Sequence, residues 1–156
     1  MAHPTKISDF LSPGDVMLDV RAKDKASLLR QLCTEAATKL GLNAEEVAGQ
    51  IAKREALGST GLGNGLALPH ARLRGLKSPF AILARLQHGI DFDAIDNQPV
   101  DIVFLLLLPD AANGDARLNA LACAARKLRD PKVLQQIRDA ADPKLLFEAI
   151  AAADPA

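Results

Sequence analysis

The chain has 156 residues, of which 49% are hydrophobic and 24% charged, a size and composition typical of one globular domain. Nineteen basic side chains balance nineteen acidic ones, so no net charge draws the chain to nucleic acid or anionic lipid. Without Trp or Tyr, only five Phe rings remain on which bases could stack, which further disfavours nucleic-acid binding.

Neither the cysteines nor the apolar segments indicate export or a membrane. Cys33 and Cys123 lie in helical patterns without the spacing of a redox motif or a metal site, so we expect reduced, packed thiols. The longest strongly apolar run, Ile102 to Leu108, is far shorter than the ~20 residues of a membrane helix. The N-terminus lacks the apolar core of a signal peptide. We therefore expect a cytoplasmic protein with no membrane insertion.

The first part of the chain predicts one strand and two helices. Three apolar residues near the start are suited to dock on the rest: Ile7, Phe10 and Leu11. Val16–Val20 predicts a strand. An amphipathic helix should begin at Asp24 and stop at Gly41. Asn43, with a glutamate three residues later, predicts the start of a second helix.

The remainder predicts three strands followed by three helices. The predicted strands are Leu66–Leu68, Phe80–Leu86 and Asp101–Leu107. Turns at Gln87–Gly89 and Asp96–Pro99 should bracket a weak extended piece, Ile90 to Ile95. One helix is expected at about 115–128, and two more begin at Asp130-Pro131 and Asp142-Pro143, because aspartate caps a helix and proline suits its first position.

The element order β-αα-βββ-ααα predicts a mixed α/β fold. Asp101–Leu107 is apolar on both faces, as expected of a central strand covered from both sides. Helices on both faces give a three-layer α/β/α sandwich, and the short links between the middle strands indicate a mixed sheet. No repeat or long linker divides the chain, so we expect a single domain over 1–156 with a core of about 7–150.

The segment from Arg54 to Arg72 combines the features that suggest chemistry. Four glycines lie close together before a short apolar strand, and Pro69 then leads into His70. Proline fixes the backbone, so we expect the imidazole to be stiffly mounted at the strand exit. Neutral imidazole is a nucleophile, arginine matches phosphate oxygens, and glycine amides can form an anion-binding concavity. Together they predict a nucleophile that meets a phosphoryl group.

Other interpretations of these motifs are weaker or remain open. The glycine loop follows a helix and precedes Pro69, whereas a dinucleotide motif must follow a strand and open a helix. A P-loop would end in Gly-Lys-Ser/Thr, but this loop ends in Gly-Leu-Ala. No Gly-x-Ser-x-Gly elbow indicates a hydrolase, and the three histidines lack metal-ligand spacing, so we expect no metal. Each feature also has a simpler interpretation when it is taken alone. His70 could be a structural residue, Arg54 could be a solvated cation at a helix end, and the glycines could form a tight connection.

The pattern from Arg54 to His70 resembles the active-site signature of the fructose/mannitol-type enzyme IIA domains of the bacterial phosphotransferase system. Further segments resemble the nitrogen-regulatory branch of that family: Gly75–Lys77, Phe92–Val100 and Val103–Pro109. The resemblance covers roughly residues 7 to 150. The three-layer α/β fold of the family agrees with the element order.

The resemblance implies a role for each matching residue. His70 would be the phosphoryl acceptor, through Nε2, and Arg54 would steady the transferring group. The phosphate-site loop would comprise Ser59, Thr60, Gly61, Gly63 and Asn64. The donor would be an HPr-like phosphocarrier, itself phosphorylated from a phosphoenolpyruvate-dependent enzyme I. No cofactor or metal is implied.

One residue departs from the family pattern. The family usually carries a second histidine in a His-Leu-x-x-Leu motif, where this chain has Arg117 to Leu121. Arginine binds phosphate but cannot shuttle a proton. We expect Arg117 to stabilise phospho-His70 and to slow onward transfer. The alternative is that Arg117 points to solvent and that the second histidine is dispensable.

The predicted function is that of a cytosolic phosphocarrier and regulator of the nitrogen-related phosphotransferase system. Phosphorylation adds about 1.5–2 negative charges, which can change how regulatory partner proteins bind. The alternatives are a sugar-transport enzyme IIA that passes phosphate to a IIB domain, a protein-binding regulator with a vestigial site, and a small-anion binding module. The partners themselves and a weak homo-oligomer stay open.

Overall fold

A mixed β-sheet separates two layers of helices. The computed structural model describes residues 6–110 and 114–151, with only the backbone for residues 114–118. Two single-turn 3-10 helices, Ile7–Asp9 and Pro13–Asp15, open this part of the chain. The strands are β1 (Val16–Val20), β2 (Gly61–Gly63), β3 (Leu66–Ala67), β4 (His70–Leu73), β5 (Phe80–Ile90) and β6 (Val100–Pro109). The helices are α1 (Lys25–Leu40), α2 (Ala44–Ala56), α3 (Gly114–Leu128), α4 (Pro131–Asp139) and α5 (Pro143–Ala151).

The sheet is mixed, as the short connections predicted. Its strand order is β1-β5-β6-β3-β2, and β4 pairs with β6 beyond β3. β5 runs antiparallel to β6, whereas β3 and β4 run parallel to it. His70 therefore lies beside Leu106 in the register of β4 and β6. None of the described helices is long and apolar enough to cross a membrane.

Two hydrophobic cores lie on opposite faces of β6. Its residues Ile102, Phe104, Leu106 and Leu108 pack on the side of α3, α4 and α5. The intervening residues Val103, Leu105 and Leu107 pack on the side of α1 and α2. The prediction of a central strand covered from both sides is thus confirmed, because both sets of alternating side chains are buried.

The predicted helix boundaries agree with the capping geometry. The Asp24 carboxylate accepts a hydrogen bond from the Ser27 amide at 2.8 Å, and Gly41 ends α1 with a φ of 69°. The Asn43 side chain accepts from the Glu46 amide at 3.0 Å and starts α2. Near the N-terminus the three predicted docking residues are buried: Ile7, Phe10 and Leu11.

The two cysteines are buried thiols that form no disulfide, and they lie in separate cores. Cys33 packs among α1 and α2, and Cys123 packs on the opposite side of the sheet. Burial raises the pKa of the Cys33 thiol to about 11, so this group is a neutral packing residue. Both match the expected packed thiols.

The prediction of a turn at Gln87–Gly89 was wrong, because β5 continues through it to Ile90. The register of the pairing between β5 and β6 shifts between Arg85 and Ile90. β5 is therefore irregular here but does not end. Gly89 is needed for space, since a Cβ there would lie 2.8 Å from the Pro99 Cβ. The glycine therefore reflects a close approach and not a turn.

The predicted extended piece from Ile90 to Ile95 was also wrong, since no strand follows Ile90 until Val100. The Asp91 carboxylate accepts from the Asp93 amide at 3.0 Å, and Asp93 has a φ of 55°. A local side-chain turn of this kind competes with strand pairing. Two short strands, β2 and β4, were not predicted at all.

Candidate functional site

A cleft lies at the edge of the sheet along β4, between α2 and α3. It has a volume of about 640 Å³. Both His70 and Arg54 line it, so the fold brings together the two residues on which the sequence prediction depends. The other lining residues are Glu46, Gln50, Lys53, Leu57, Ala71, Arg72, Arg74, Leu108, Asp110 and Leu121.

The imidazole of His70 is oriented by the backbone just before it. Its Nδ1 lies 2.9 Å from the carbonyl oxygen of Leu68. A carbonyl oxygen only accepts hydrogen bonds, so Nδ1 carries the proton. In the neutral ring Nε2 is then the unprotonated nitrogen and keeps its electron pair. The intervening Pro69 is itself fixed, because its carbonyl accepts from the Leu106 amide of β6 at 2.9 Å.

The surroundings of His70 favour its neutral form. Burial of the half-exposed ring lowers its pKa below 6.5, and the positive charge of Arg54 acts in the same direction. The hydrogen bond to Leu68 and the negative charge of Glu55 oppose this shift without cancelling it. At neutral pH the ring is therefore a nucleophile that needs no separate base.

Arg54 lies in the last turn of α2 and bonds the backbone just past the helix end. Its Nη1 donates a hydrogen bond of 3.0 Å to the carbonyl oxygen of Gly58, just past the end of the helix. This bond directs the guanidinium along the loop that leads to the glycines. Since Arg54 also lines the cleft and acts on the pKa of His70, its charge lies within electrostatic range of the imidazole.

A buried carboxylate next to Arg54 escaped the sequence prediction. The Glu55 side chain is only 7% exposed and forms an ion pair of 2.8 Å with Lys25 of α1. It also accepts hydrogen bonds from the amide and the hydroxyl of Thr60. Glu55 thus fastens the glycine loop to both α1 and α2. Its only sequence signal was its place beside Arg54, because Lys25 lies thirty residues earlier.

The Ser59 hydroxyl fastens the same loop to the segment after β5. It donates a hydrogen bond of 2.6 Å to the Phe92 carbonyl and accepts one of 3.0 Å from the Gly61 amide. Lys25 also lies over the Phe92 ring, 4.5 Å from its centroid. At Gly61 a Cβ would lie 2.8 Å from Ala94, so only glycine fits there without a shift.

Gly63 and Asn64 form the tip of the hairpin between β2 and β3. Both have positive φ, 98° and 59° respectively. The Asn64 amide donates to Asp96 at 3.1 Å, and its carbonyl accepts from Arg138 of α4 at 2.6 Å. None of the five predicted loop residues is part of the cleft lining; their bonds hold the hairpin against its neighbours. A direct role for them in phosphate binding stays a prediction.

The side chain of Arg117 lies outside the described residues. Its backbone belongs to α3, four positions before Leu121, which lines the cleft. The roles that the sequence predicted for Arg117 therefore stay predictions.

Three cations of the cleft were also missed: Lys53, Arg72 and Arg74. A signal for two of them was present, since His70, Arg72 and Arg74 alternate with the buried Ala71 and Leu73. Alternation of this kind places side chains on one face of an extended chain.

The chain is similar to known proteins over nearly its whole length. Residues 9–153 match the family model of the phosphoenolpyruvate-dependent sugar phosphotransferase system, EIIA 2. A nitrogen regulatory protein of Bradyrhizobium diazoefficiens is 38% identical over 145 residues, covering 93% of this chain and 94% of that protein. Its counterpart in Pseudomonas aeruginosa is 35% identical over 146 residues, with the same coverage of both. The crystal structure of nitrogen regulatory protein IIA-Ntr from Neisseria meningitidis has a TM-score of 0.86 at 28% identity, covering 92% and 98% of the two chains.

Proposed function

The chain belongs to the EIIA type 2 family of the phosphoenolpyruvate-dependent sugar phosphotransferase system, in its nitrogen-regulatory branch, and from this premise we propose that it is a phosphocarrier that accepts a phosphoryl group on His70. The observation that carries the proposal is the hydrogen bond from Nδ1 to Leu68, which leaves Nε2 as the nucleophilic nitrogen in a cleft shared with Arg54. We also propose that the chain forms a single domain over 1–156, with its core at about 7–150.

The proposed step is a direct transfer between two nitrogens. The electron pair of Nε2 forms a bond to phosphorus while the bond from phosphorus to the donor's histidine breaks, and that pair returns to the donor. The Nδ1 proton stays on its hydrogen bond to Leu68. Phosphoryl transfer depends mainly on positioning and on charge stabilisation, and Arg54 supplies the positive charge here.

The proposed donor is an HPr-like phosphocarrier, which enzyme I phosphorylates from phosphoenolpyruvate in the cytoplasm. Phosphorylation adds about 1.5–2 negative charges to a cleft bordered by cations. Charge changes of this size make or break contacts with a partner protein. The phosphorylated and unphosphorylated forms therefore bind regulatory targets differently and so report nitrogen, carbon or potassium status. The phosphoryl group can leave by the reverse of the same step.

Incubation with enzyme I, the HPr-like carrier and phosphoenolpyruvate tests the proposal. We expect an adduct that is labile in acid and stable in base, as phosphohistidine is, and that is absent from His70→Ala. The matched control is His88→Ala, since His88 is an exposed histidine of β5 that does not line the cleft. Absence of an adduct on the parent protein would instead favour a protein-binding regulator with a vestigial site.

A further inference from the structure

The cleft around His70 is bordered by more positive than negative charge. Its basic lining residues are Lys53, Arg54, Arg72 and Arg74. Its acidic lining residues are Glu46 and Asp110. The whole chain carries equal numbers of basic and acidic side chains. The excess of cations is therefore a property of this face and not of the composition.

Most of these cations have no ion-pair partner in the part of the chain that the structure describes. Arg54 bonds the Gly58 carbonyl, but no described carboxylate pairs with Lys53, Arg72 or Arg74, and all three are exposed. Elsewhere, partly buried cations form ion pairs with carboxylates, as Arg138 does with Asp101 at 2.9 Å. Exposed, unpaired cations remain available to a molecule that enters the cleft.

The spacing of the arginines shows what kind of molecule they fit. With a strand rise of about 3.3 Å per residue, Arg72 lies roughly 7 Å along the chain from His70, and Arg74 follows in the turn after β4. Lys53 joins the lining from α2. Because these cations come from separate elements, they cover more surface than one phosphoryl group occupies. The cations therefore face the surface that surrounds the reacting group of a larger partner.

We propose that the partner docking over His70 is a protein that presents carboxylates around its own phosphorylated residue, received by Lys53, Arg72 and Arg74. Arginine forks pair with carboxylates through two parallel hydrogen bonds. Leu57, in the same lining and 84% exposed, supplies an apolar contact beside these charges. This inference rests on the proposed function of His70, because it names the surface of the donor that would deliver the phosphoryl group.

The test reverses the two arginines together. For R72E/R74E we expect transfer from the phosphorylated HPr-like carrier of the same organism to be about 10- to 100-fold slower at low ionic strength, and the deficit to shrink in high salt. The control K132E/K144E makes the same change in net charge at exposed positions of α4 and α5, and should transfer at close to the parent rate. Equal rates for both double variants would overturn the inference.

A small donor separates this inference from the proposed function. Phosphoramidate phosphorylates histidine without a docking surface, so R72E/R74E should lose much less rate with it than with the carrier. If the parent accepts phosphate from neither donor, the proposed function itself fails. If both donors slow equally in R72E/R74E, the arginines bind the phosphoryl group alone and the docking surface is wrong. A carrier whose sequence places lysines rather than carboxylates around its histidine would overturn the inference as well.

Discussion

His70 and Leu68 are joined by a hydrogen bond of 2.9 Å that bridges Pro69, from the imidazole Nδ1 to the backbone carbonyl. The bond distinguishes the two ring nitrogens, because Nδ1 carries the proton and Nε2 does not. Nδ1 is occupied as a donor within the protein, and Nε2 keeps its electron pair. Because the acceptor belongs to the backbone, most side-chain substitutions nearby leave this assignment intact.

The rate of His70 phosphorylation should be independent of pH near neutrality and fall only below pH 6.5. Burial lowers the pKa of His70 in the folded protein, and only the neutral ring has a free electron pair on Nε2. The unfolded chain takes up this proton near pH ~6.5, before the folded one does, so stability decreases as the pH falls through that value. NMR titration of the ring protons measures the pKa, and a value above 6.5 would contradict the expectation.

Arg54→Ala should slow phosphorylation by roughly 10²–10³-fold, as expected for the loss of one preorganised charge stabiliser. It should also raise the pKa of His70, because the positive charge of Arg54 lowers that pKa. Initial rates with phosphoramidate measure the first effect without a protein donor. The control is Arg126→Ala, which removes an exposed cation from the last turn of α3. A change smaller than about threefold would leave Arg54 as a helix-end cation only.

Glu55→Gln should destabilise the protein by about 1–3 kcal/mol, because the partly buried Lys25 ammonium loses its nearer partner charge and keeps only Asp93 at 3.9 Å. It should also lower the pKa of His70 further, since the negative charge of Glu55 raises it. Urea unfolding measures the first effect and NMR titration the second. Glu45→Gln removes an exposed charge from the same helix and should cost about 0.5 kcal/mol or less. Equal costs for the two variants would argue against the loop-fastening role of Glu55.

Gly61→Ala and Gly49→Ala should change stability in opposite directions. At Gly61 a Cβ would lie 2.8 Å from the Cα and Cβ of Ala94, so we expect a loss of about 1–3 kcal/mol. At Gly49, inside α2, nothing lies within 4 Å of such a Cβ, and alanine should stabilise by about 0.5–1 kcal/mol. Thermal unfolding of both variants checks the pair. A stable Gly61→Ala protein would show that Ala94 yields easily.

Arg117→His should shorten the lifetime of phospho-His70. Arginine can hold a phosphate through two hydrogen bonds but cannot pass a proton, whereas histidine can do so. The half-life of the phosphorylated protein, followed by loss of labelled phosphate in parallel samples, measures the difference. Equal half-lives would remove the stabilising role and leave the alternative in which the second histidine is dispensable.

The helices and the central strand could be predicted because their signals are local. Asp24, Asn43 and Asp130 cap the helices they were expected to start, with bonds to amides two or three residues later. Strand β2 was missed because it is too short to show a period, and the alternation within β4 covers only four residues. Glycine in β2 gives no apolar alternation, and β4 exists only through its pairing with β6.

The site was predictable where its residues are close in sequence. His70 and Arg54 flank one glycine-rich segment, and the fold brings both to one cleft. Glu55 and Lys25 were missed because their contact joins two helices that are distant in sequence. Thr60, which donates a hydrogen bond to Glu55, was predicted to contact the phosphate. The hairpin residues formed contacts with Phe92, Asp96 and Arg138, which lie far along the chain. Local pattern carries no information about such partners.

The pairing of β4 with β6 makes the spacing between the hairpin and His70 intolerant of length changes. His70 lies beside Leu106, and its neighbour Ala71 packs into the core under α1 and α2. Adding or deleting one residue just before Pro69 would exchange these two orientations and bury the His70 ring among apolar groups. Homologous chains should therefore vary freely in length at many surface turns, yet keep this interval constant.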